Sequence, residues 1–311
     1  MVGEIKALCL SLKRGTGKEP VAAVSLLENW GLEGDAHGGS WHRQVSLLSY
    51  EKVQEFNAKG GNAAAGAFGE NILVAGIDFA ALPVGTRFIC GSVILELTQI
   101  GKECHQHCQI FQRVGDCIMP REGVFARVLQ GGPLQVGARL QVELPSPNRQ
   151  LRAAVLTLSD KGAAGERVDT SGPKAAQMLR EAGYEVVEEL LLPDEEGPLI
   201  KSLLRLSHSR QVDLIITSGG TGLSPRDITP EATMKVATRN VPGIAEAIRA
   251  GSMAFTPRAM LSRGVSVLHN NTLIINLPGS TKAVAEGLAI VLPTLDHGLR
   301  LLAGTAGECG R

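Results

Sequence analysis

The sequence predicts two domains, a mostly β barrel followed by a three-layer α/β domain with a mostly parallel sheet. The chain has 311 residues, too many for one typical hydrophobic core. Short apolar runs separated by glycine and proline fill the first half, whereas strand-length and helix-length segments alternate from Leu151 onward. The polar, proline-rich segment 145–150 lies between the two patterns. We therefore expect domains at 1–144 and 151–311, joined by this linker.

Composition disfavours several classes of function. The chain has 31 basic and 31 acidic side chains, and residues 1–148 alone hold 13 basic and 14 acidic ones. Nucleic acid is therefore not an expected partner. The longest apolar runs are strand-sized and the first residues lack a signal-peptide pattern, so we expect no membrane association and a cytoplasmic protein. Six cysteines in a chain of this length favour free thiols over a disulfide framework.

The first half contains seven predicted strands and one predicted helix. Helical spacing covers Tyr50–Ala58 and ends at Lys59-Gly60-Gly61. The strands are short apolar runs, alternating or continuous: Ile5–Leu12, Val45–Leu48, Ile72–Val74, Arg87–Cys90, Val93–Leu97, Val124–Leu129 and Leu140–Leu144. This pattern predicts an antiparallel barrel or sandwich.

A glycine-rich loop before the second of these strands concentrates polar side chains. It contains Asp35, His37, His42 and Arg43 within residues 31–46. Charged groups on such a loop suit an anionic ligand. The alternative is a solvated loop whose histidine and aspartate side chains satisfy local backbone groups.

A second polar stretch, Cys104-His105-Gln106-His107-Cys108, could hold a metal or a reactive thiol. Structural zinc sites usually draw their ligands from two separated knuckles, so a compact cluster fits zinc poorly. Nearby His, Lys and Arg side chains would instead lower a thiol pKa, which favours a reactive cysteine. For Cys9, Cys90 and Cys117 the alternative is burial as a small apolar side chain.

These stretches resemble the MOSC domain, a β-barrel module found in molybdenum-cofactor sulfurases and in small bacterial proteins. The matching residues are the loop 34–47, the stretch Gly66–Leu73 with Phe68-Gly69-Glu70-Asn71-Ile72, the cysteine and histidine segment and 115–126. The resemblance implies a cysteine that carries sulfur or binds the molybdenum of a pterin cofactor. Cys108 matches that position best, with Cys104 and Cys117 as competitors. It also implies that His42 and Arg43 face the phosphate of the molybdenum cofactor.

The second half alternates predicted strands and helices. The strands are Leu151–Leu158, Glu185–Leu192, Val212–Thr217, Val265–Leu268 and Leu273–Leu277. The helices are Thr170–Ala182, Pro198–Ser207 and segments that begin at Thr229, Gly243 and Ser280. Such alternation predicts a sheet with helices on both faces and a ligand site at the carboxyl ends of the strands.

The strongest candidate site follows the strand Val212–Thr217. Three glycines in Gly219-Gly220-Thr221-Gly222 allow positive φ and bring N–H groups close to a ligand. Thr229 before Pro230 predicts a helix N-cap beside the loop, which favours an anion. Asp227 next to a phosphate then calls for a cation such as Mg²⁺ between them. The alternative is a loop that only joins a strand to a helix.

Other predicted strand ends carry polar or glycine motifs as well. Ser159-Asp160 follows the first strand, Pro193-Asp194-Glu195 the second, and Pro278-Gly279-Ser280 the last. The chain has no P-loop motif and no Gly-x-Gly-x-x-Gly after the first strand, so neither a P-loop enzyme nor a dinucleotide fold is expected.

Over nearly all of 151–303 these motifs resemble the molybdopterin adenylyltransferases. The matching stretches are Thr-Leu-Ser-Asp, Asp-Thr-Ser-Gly, Leu-Pro-Asp-Glu, the run from Ile215 to Thr233, Val-Pro-Gly, Leu-Ser-Arg and Ile-Ile-Asn-Leu-Pro-Gly-Ser. The resemblance implies that molybdopterin and ATP are substrates, with Mg²⁺ as the metal. It implies Asp194 and Asp227 as catalytic carboxylates and Mg²⁺ ligands. The implied binding residues are Ser159, Asp160, Gly219, Gly220, Thr221, Gly222, Ser224, Pro278, Gly279 and Ser280.

Two alternatives remain at this level. The second half could be a carrier that holds the pterin without turning over ATP, or the first half could be a separate reductase of N-hydroxylated compounds that uses finished cofactor. The family resemblance implies a homo-oligomer, a trimer or a multiple of one, and other molybdenum-cofactor biosynthesis proteins as partners. The sequence does not distinguish molybdenum from tungsten.

Overall fold

The structure is a computed structural model that describes residues 1–14, 17–102 and 117–304. The chain forms two compact units that divide between Ser146 and Pro147. This division falls inside the segment 145–150, whose role as a linker stays a prediction.

The first unit is mostly β structure. Its elements, in chain order, are β1 (Val2–Leu10), β2 (Glu19–Val21), β3 (Ala23–Leu27), β4 (Gly31–Leu32), β5 (Val45–Ser49), α1 (Tyr50–Ala58), β6 (Ile72–Ala75), a 3₁₀ turn (Phe79–Ala81), β7 (Arg87–Cys90), β8 (Val93–Ile100), α2 (Met119–Glu122), β9 (Val124–Gln130), β10 (Gly132–Gln135) and β11 (Arg139–Glu143).

Seven of these strands close into a barrel. They run in the order β11-β7-β8-β9-β5-β6-β1, and β11 pairs back onto β1. The interior is apolar, with Ile5, Leu8, Phe88 and Leu95 fully buried. The predicted β barrel is confirmed. The expectation that the strands are antiparallel is wrong for β5 and β6, which are parallel because the chain returns through α1 before starting β6.

Among the described residues of the first unit, four strands and one short helix were not predicted. They are β2, β3, β4, β10 and α2. Strands β10, β3 and β4 form a separate small sheet. These elements are two to five residues long, and β3 buries only one of its five side chains, so the sequence carries little hydrophobic period there.

The second unit alternates strands and helices as predicted. Its elements are β12 (Arg152–Leu158), α3 (Asp160–Ala163), α4 (Ser171–Glu181), β13 (Glu185–Leu192), α5 (Glu196–His208), β14 (Leu214–Ser218), α6 (Thr229–Val236), β15 (Arg239–Asn240), α7 (Pro242–Ser252), a 3₁₀ turn (Pro257–Leu261), β16 (Ser266–His269), β17 (Thr272–Leu277) and α8 (Thr281–Leu302).

A six-stranded sheet forms the middle layer, in the order β13-β12-β14-β17-β16-β15. Strands β13, β12, β14 and β17 are parallel, whereas β16 and β15 pair antiparallel at one side. One face packs on α4, α7 and α8, for example through Leu179, Ile248 and Leu288. The other packs on α5 and α6 through Leu203 and Ala232. The predicted three-layer α/β fold is confirmed.

The register of the parallel strands brings their carboxyl ends to one edge of the sheet. Leu158 lies opposite Leu192, and Ser218 lies opposite Leu277. The polar and glycine motifs that follow β12, β13, β14 and β17 therefore gather along this edge.

Among the helices of the described ranges, none combines the length and the hydropathy that crossing a membrane requires.

Candidate active site

A cavity of about 590 Å³ lies at the carboxyl edge of the sheet. Its size is within the range of small-molecule sites, about 300 to 1,000 Å³. Motifs from four strand ends share its wall. The predicted site residues that line it are Ser159, Asp194, Gly219, Gly220, Thr221, Gly222, Asp227, Pro278, Gly279 and Ser280.

The glycine loop, residues 219–222, needs glycine for steric reasons. Gly219 and Gly220 have φ values of 103° and 64°. A Cβ at Gly219 would lie 2.4 Å from the carbonyl oxygen of Leu158, and one at Gly220 would lie 2.3 Å from Thr229 Oγ1. A side chain at either position would therefore clash with a neighbouring residue, and glycine allows the loop to pack this closely.

All four carbonyl oxygens of the glycine loop accept hydrogen bonds from two residues outside the loop, Thr229 and Arg263. Thr229 donates its Oγ1 hydroxyl and its N–H to the first two, at 2.9 and 3.1 Å. Arg263 donates its N–H and its Nε to the last two, at 2.9 and 2.6 Å. In a trans peptide the N–H points opposite to the carbonyl, so the N–H groups of residues 220–223 face the other way. Within the described ranges these four N–H groups donate no hydrogen bond, which leaves a row of donors for an anion.

Thr229 differs from its predicted role as a helix N-cap. Helix α6 begins at Thr229 itself, and Ile228 occupies the N-cap position without a side-chain cap. The hydroxyl of Thr229, which is fully buried, is used for Gly219 instead.

Asp160, after β12, and Asp194, after β13, form two reciprocal hydrogen bonds that link the ends of these strands. The N–H of Asp160 donates to Asp194 Oδ2 at 2.9 Å, and the N–H of Asp194 donates to Asp160 Oδ1 at 3.0 Å. Burial, with the nearby charges of Asp160 and Asp227, raises the pKa of Asp194 above its ordinary value, although the Asp160 N–H opposes this. Hydrogen bonds from the Arg226 guanidinium and from the Asp194 N–H lower the pKa of Asp160.

Asp160 and Ser224 are predicted binding residues that lie beside the cavity rather than in its wall. Arg226 forms an ion pair with Asp160 at 2.6 Å, so that carboxylate already has a cationic partner. Ser224 closes a turn with Asp227, since its N–H donates to Asp227 Oδ2 at 2.8 Å. A direct contact of either residue with a ligand stays a prediction.

The donor set of the two predicted catalytic carboxylates fits a divalent cation. A Cβ on Gly220 would lie 3.4 Å from Asp194 Oδ1, and one on Gly222 would lie 2.9 Å from Asp227 Oδ2, so both side chains lie against the glycine loop. In the described part of the chain, the Oδ1 atoms of Asp194 and Asp227 accept no hydrogen bond. No group of three or more His, Cys, Asp or Glu residues is arranged there for metal binding. One or two carboxylates supplemented by phosphate oxygens is the usual environment of Mg²⁺.

In the barrel, the structure describes two of the predicted ligand-facing side chains. His42 Nε2 lies 2.9 Å from Gln99 Oε1. The guanidinium carbon of Arg43 lies 4.7 Å from the ring centre of Trp41 and 5.6 Å from that of Phe125. The guanidinium of Arg43 therefore lies within cation–π distance of both rings.

Asp35 is the centre of a buried polar cluster in the same loop. It pairs with the buried Lys18 ammonium and accepts from the N–H and Nδ1 of His37 at 2.8 and 3.2 Å. Burial opposes ionisation of Asp35, but the hydrogen bonds from His37 and Lys18 outweigh it and hold its pKa well below the usual range. The contacts of Asp35 with Lys18 and His37 thus explain why this carboxylate is buried, without a ligand.

Family models match both units. Residues 34–141 match the MOSC domain, and residues 154–297 match a probable molybdopterin binding domain. The molybdopterin adenylyltransferase of Helicobacter pylori strain J99 is 38% identical over 156 residues, which are 50% of this chain and 89% of that protein. The chain belongs to the molybdopterin adenylyltransferase family. Both resemblances inferred from the sequence are confirmed, and the family is one of nucleotidyltransferase enzymes.

Further relatives match the adenylyltransferase half. The molybdopterin adenylyltransferase of Escherichia coli K12 is 38% identical over 141 residues, 44% of this chain and 72% of that protein. Gephyrin of Dictyostelium discoideum is 37% identical over 158 residues, 48% of this chain and 22% of that protein. The solved structure of the molybdopterin biosynthesis enzyme MoaB from Thermus thermophilus is 46% identical, with 50% of this chain and 98% of that chain covered and a TM-score of 0.48.

The adenylyltransferase domain has cavity residues that sequence reasoning did not assign. Asp169 accepts from the N–H and Oγ of Ser171 at the start of α4, and both residues belong to the Asp-Thr-Ser-Gly stretch, which was matched without a role for its residues. Ser262 belongs to the Leu-Ser-Arg stretch, which was matched without a role for its residues. The remaining cavity residues lie outside the matched stretches and gave no signal: Arg167, Ser252, Thr256, Arg258 and Glu286.

In the MOSC domain, the predicted catalytic Cys108 and its competitor Cys104 lie outside the described residues. The other competitor, Cys117, is buried among apolar side chains such as Met119 and Phe125. Cys9 and Cys90 are buried too, and burial raises the pKa of Cys9 to about 12.

Proposed function

We propose that the second domain catalyses the ATP- and Mg²⁺-dependent adenylylation of molybdopterin. An oxygen of the pterin's terminal phosphate attacks the α-phosphorus of ATP, and the bond from that phosphorus to the bridging oxygen of pyrophosphate breaks. The products are adenylylated molybdopterin and pyrophosphate. The nucleophile is already charged, so catalysis depends on positioning and charge neutralisation rather than on a general base.

One observation carries this proposal. Three N–H donors without acceptors among the described residues, those of Gly220, Thr221 and Gly222, belong to residues that share the wall of a single cavity with two carboxylates. The glycine loop binds phosphate oxygens, and Ser159, Pro278, Gly279 and Ser280 complete the wall. Asp194 and Asp227 hold Mg²⁺, which when bound neutralises charge on the phosphates.

Substitution of the carboxylates tests the assignment. In the full chain, Asp194→Asn and Asp227→Asn each lower Mg·ATP-dependent pyrophosphate release in the presence of molybdopterin by about a hundredfold or more. Asp296→Asn is the matched control, because Asp296 is an exposed partner of Arg300 on α8. Undiminished turnover by Asp227→Asn would contradict the assignment. Binding of molybdopterin without any pyrophosphate release by the wild-type chain would instead favour a carrier.

For the first domain we propose that the barrel binds the molybdenum cofactor, with Cys108 as sulfur carrier or molybdenum ligand. Burial of Cys9, Cys90 and Cys117 supports a reactive thiol elsewhere in the chain. Arg43 and His42 face the cofactor phosphate. Cys108→Ser removes persulfide labelling and spares adenylylation, with Cys104→Ser as the control. Equal labelling of wild type and Cys108→Ser contradicts this role.

We further propose a cytoplasmic homo-oligomer, a trimer or a multiple of one, that works with other molybdenum-cofactor biosynthesis proteins. Fusion raises the local concentration of one pterin site near the other. Reduction of N-hydroxylated compounds by the barrel is the second candidate, and a substrate screen with those compounds separates it from sulfur transfer.

A further inference from the structure

We propose that Arg263 is a positioning residue that holds the glycine loop and Asp227 in their binding conformation. The inference rests on the proposed function of the cavity. Arg263 follows the 3₁₀ turn Pro257–Leu261 and is more than 30 residues from the loop in sequence.

Four donors of this single residue reach the segment 221–231. Its N–H donates to the Thr221 oxygen at 2.9 Å, and its Nε donates to the Gly222 oxygen at 2.6 Å. The guanidinium also donates to the carbonyl oxygen of Asp227 and pairs with the carboxylate of Glu231. Arg263 thus connects the end of the glycine loop, a proposed metal ligand and the first turn of α6.

The guanidinium acts on the anion indirectly, through peptide orientation. Because the Gly222 carbonyl points to Arg263, the Leu223 N–H at the end of the donor row points to the opposite side. A loop rich in glycine has few side chains of its own to fix this orientation and many alternative backbone states. Loss of the guanidinium therefore removes, at once, the hydrogen bonds to the last carbonyl of the loop and to the carbonyl of Asp227.

Arginine suits this position better than lysine. The guanidinium offers five N–H donors in a fixed fork, so it can serve two carbonyls and a carboxylate together, whereas an ammonium is a single point. The side chain is 33% exposed, so water can replace part of its bonding. We therefore expect its loss to affect ligand binding and turnover more than folding.

The test compares Arg263→Gln and Arg263→Lys with the wild-type full chain. The control is Arg180→Gln, since Arg180 is an exposed residue of the same domain that pairs with Glu189 at 2.6 Å. Calorimetric titration with inorganic pyrophosphate and Mg²⁺ measures the anion site, and pyrophosphate release gives kcat and KM. We expect affinity and kcat to fall about ten- to a hundredfold in Arg263→Gln, less in Arg263→Lys, and not at all in the control. Millimolar guanidinium restores part of the affinity of Arg263→Ala, and urea at equal concentration does not.

The outcomes separate the two proposals. Pyrophosphate affinity and kcat within twofold of wild type in Arg263→Gln overturn the role of Arg263. If the wild-type chain binds pyrophosphate but does not adenylylate molybdopterin, the proposed function is wrong. The pyrophosphate titration of the Arg263 variants then still tests the role of Arg263. If Arg263→Gln does not fold, Arg263→Lys decides, and wild-type affinity in that variant overturns the inference.

Discussion

Asp194 places a negative charge where burial makes it unfavourable. Its carboxylate lies against the glycine loop and feels the charges of Asp160 and Asp227, so its pKa is raised. An acid with a raised folded-state pKa destabilises the fold increasingly as pH rises from the unfolded-state pKa through the folded-state pKa. The cation that we propose for this site would relieve this cost, which would link metal binding to the ionisation of Asp194.

We therefore predict that Asp194→Asn is more stable than the wild-type chain at pH 7 and inactive. The stability difference disappears well below the ordinary aspartate pKa of 3.8, where the wild-type carboxyl is protonated in both states. Urea unfolding of both chains at pH 7 and pH 3, without divalent cations, measures this. A variant that is less stable than wild type at pH 7 would show that the ionised carboxylate stabilises the free protein. Asp296→Asn serves as the exposed control.

Helix α6 is connected to the glycine loop by two hydrogen bonds from Thr229, the buried first residue of the helix. Its Oγ1 donates to Gly219 and its N–H donates to Gly220. The hydroxyl therefore links the first residue of α6 to Gly219, the residue that follows β14.

We predict that Thr229→Val lowers the free energy of unfolding by about 1–3 kcal/mol, because a buried carbonyl loses its donor while the side-chain shape is kept. Thr229→Ser keeps the donor and loses a methyl group, which costs about 1 kcal/mol. Urea unfolding measures both, and pyrophosphate titration reports the loop. We expect weakened pyrophosphate binding in Thr229→Val only. Equal binding by the two variants would mean that the hydroxyl bond does not set the loop conformation.

Prediction from sequence succeeded for elements that have a regular apolar period or end at a glycine. Strands β13 and β7 and helix α1 have the expected boundaries, because their apolar period or glycine stop is local. Strands β3 and β10 were missed because they are short and largely exposed.

Within the site, prediction succeeded where a motif follows a strand and failed where a contact is non-local. The glycine loop and Asp194 could be placed on one edge because parallel strands end together. The local pattern around Thr229 favoured an N-cap, and no local pattern predicts its bond to Gly219, ten residues earlier. Arg263 reaches Gly222 across 41 residues, so only the fold reveals that contact.

At the scale of the whole molecule, each unit has its own hydrophobic core. The barrel interior includes Phe88 and Leu95, and the sheet of the second unit is packed on both faces, for example through Leu203 and Leu288. Each unit also falls within the usual size range of an independent domain, about 50 to 250 residues.

We predict that residues 1–146 and 147–311 fold when expressed separately, and that adenylylation remains with the second piece. Circular dichroism and cooperative urea unfolding check folding, and pyrophosphate release checks activity. The turnover of 147–311 stays within about threefold of that of the full chain, because every residue proposed for adenylylation lies within 147–311. An unfolded or inactive 147–311 would show that the barrel is needed for the second unit to work.

Main-chain donors in the cavity wall have a consequence for substrate choice. In the proposed reaction, an N–H group that binds a phosphate oxygen cannot tell one nucleobase from another, so we expect the glycine loop to accept any nucleoside triphosphate equally well. If ATP is the substrate as proposed, selectivity for adenine must come from side chains elsewhere in the wall, such as Thr256 and Arg258. To obtain a cytidylyl- or guanylyltransferase from this scaffold, we would keep the glycines and vary Thr256 and the 3₁₀ turn Pro257–Leu261.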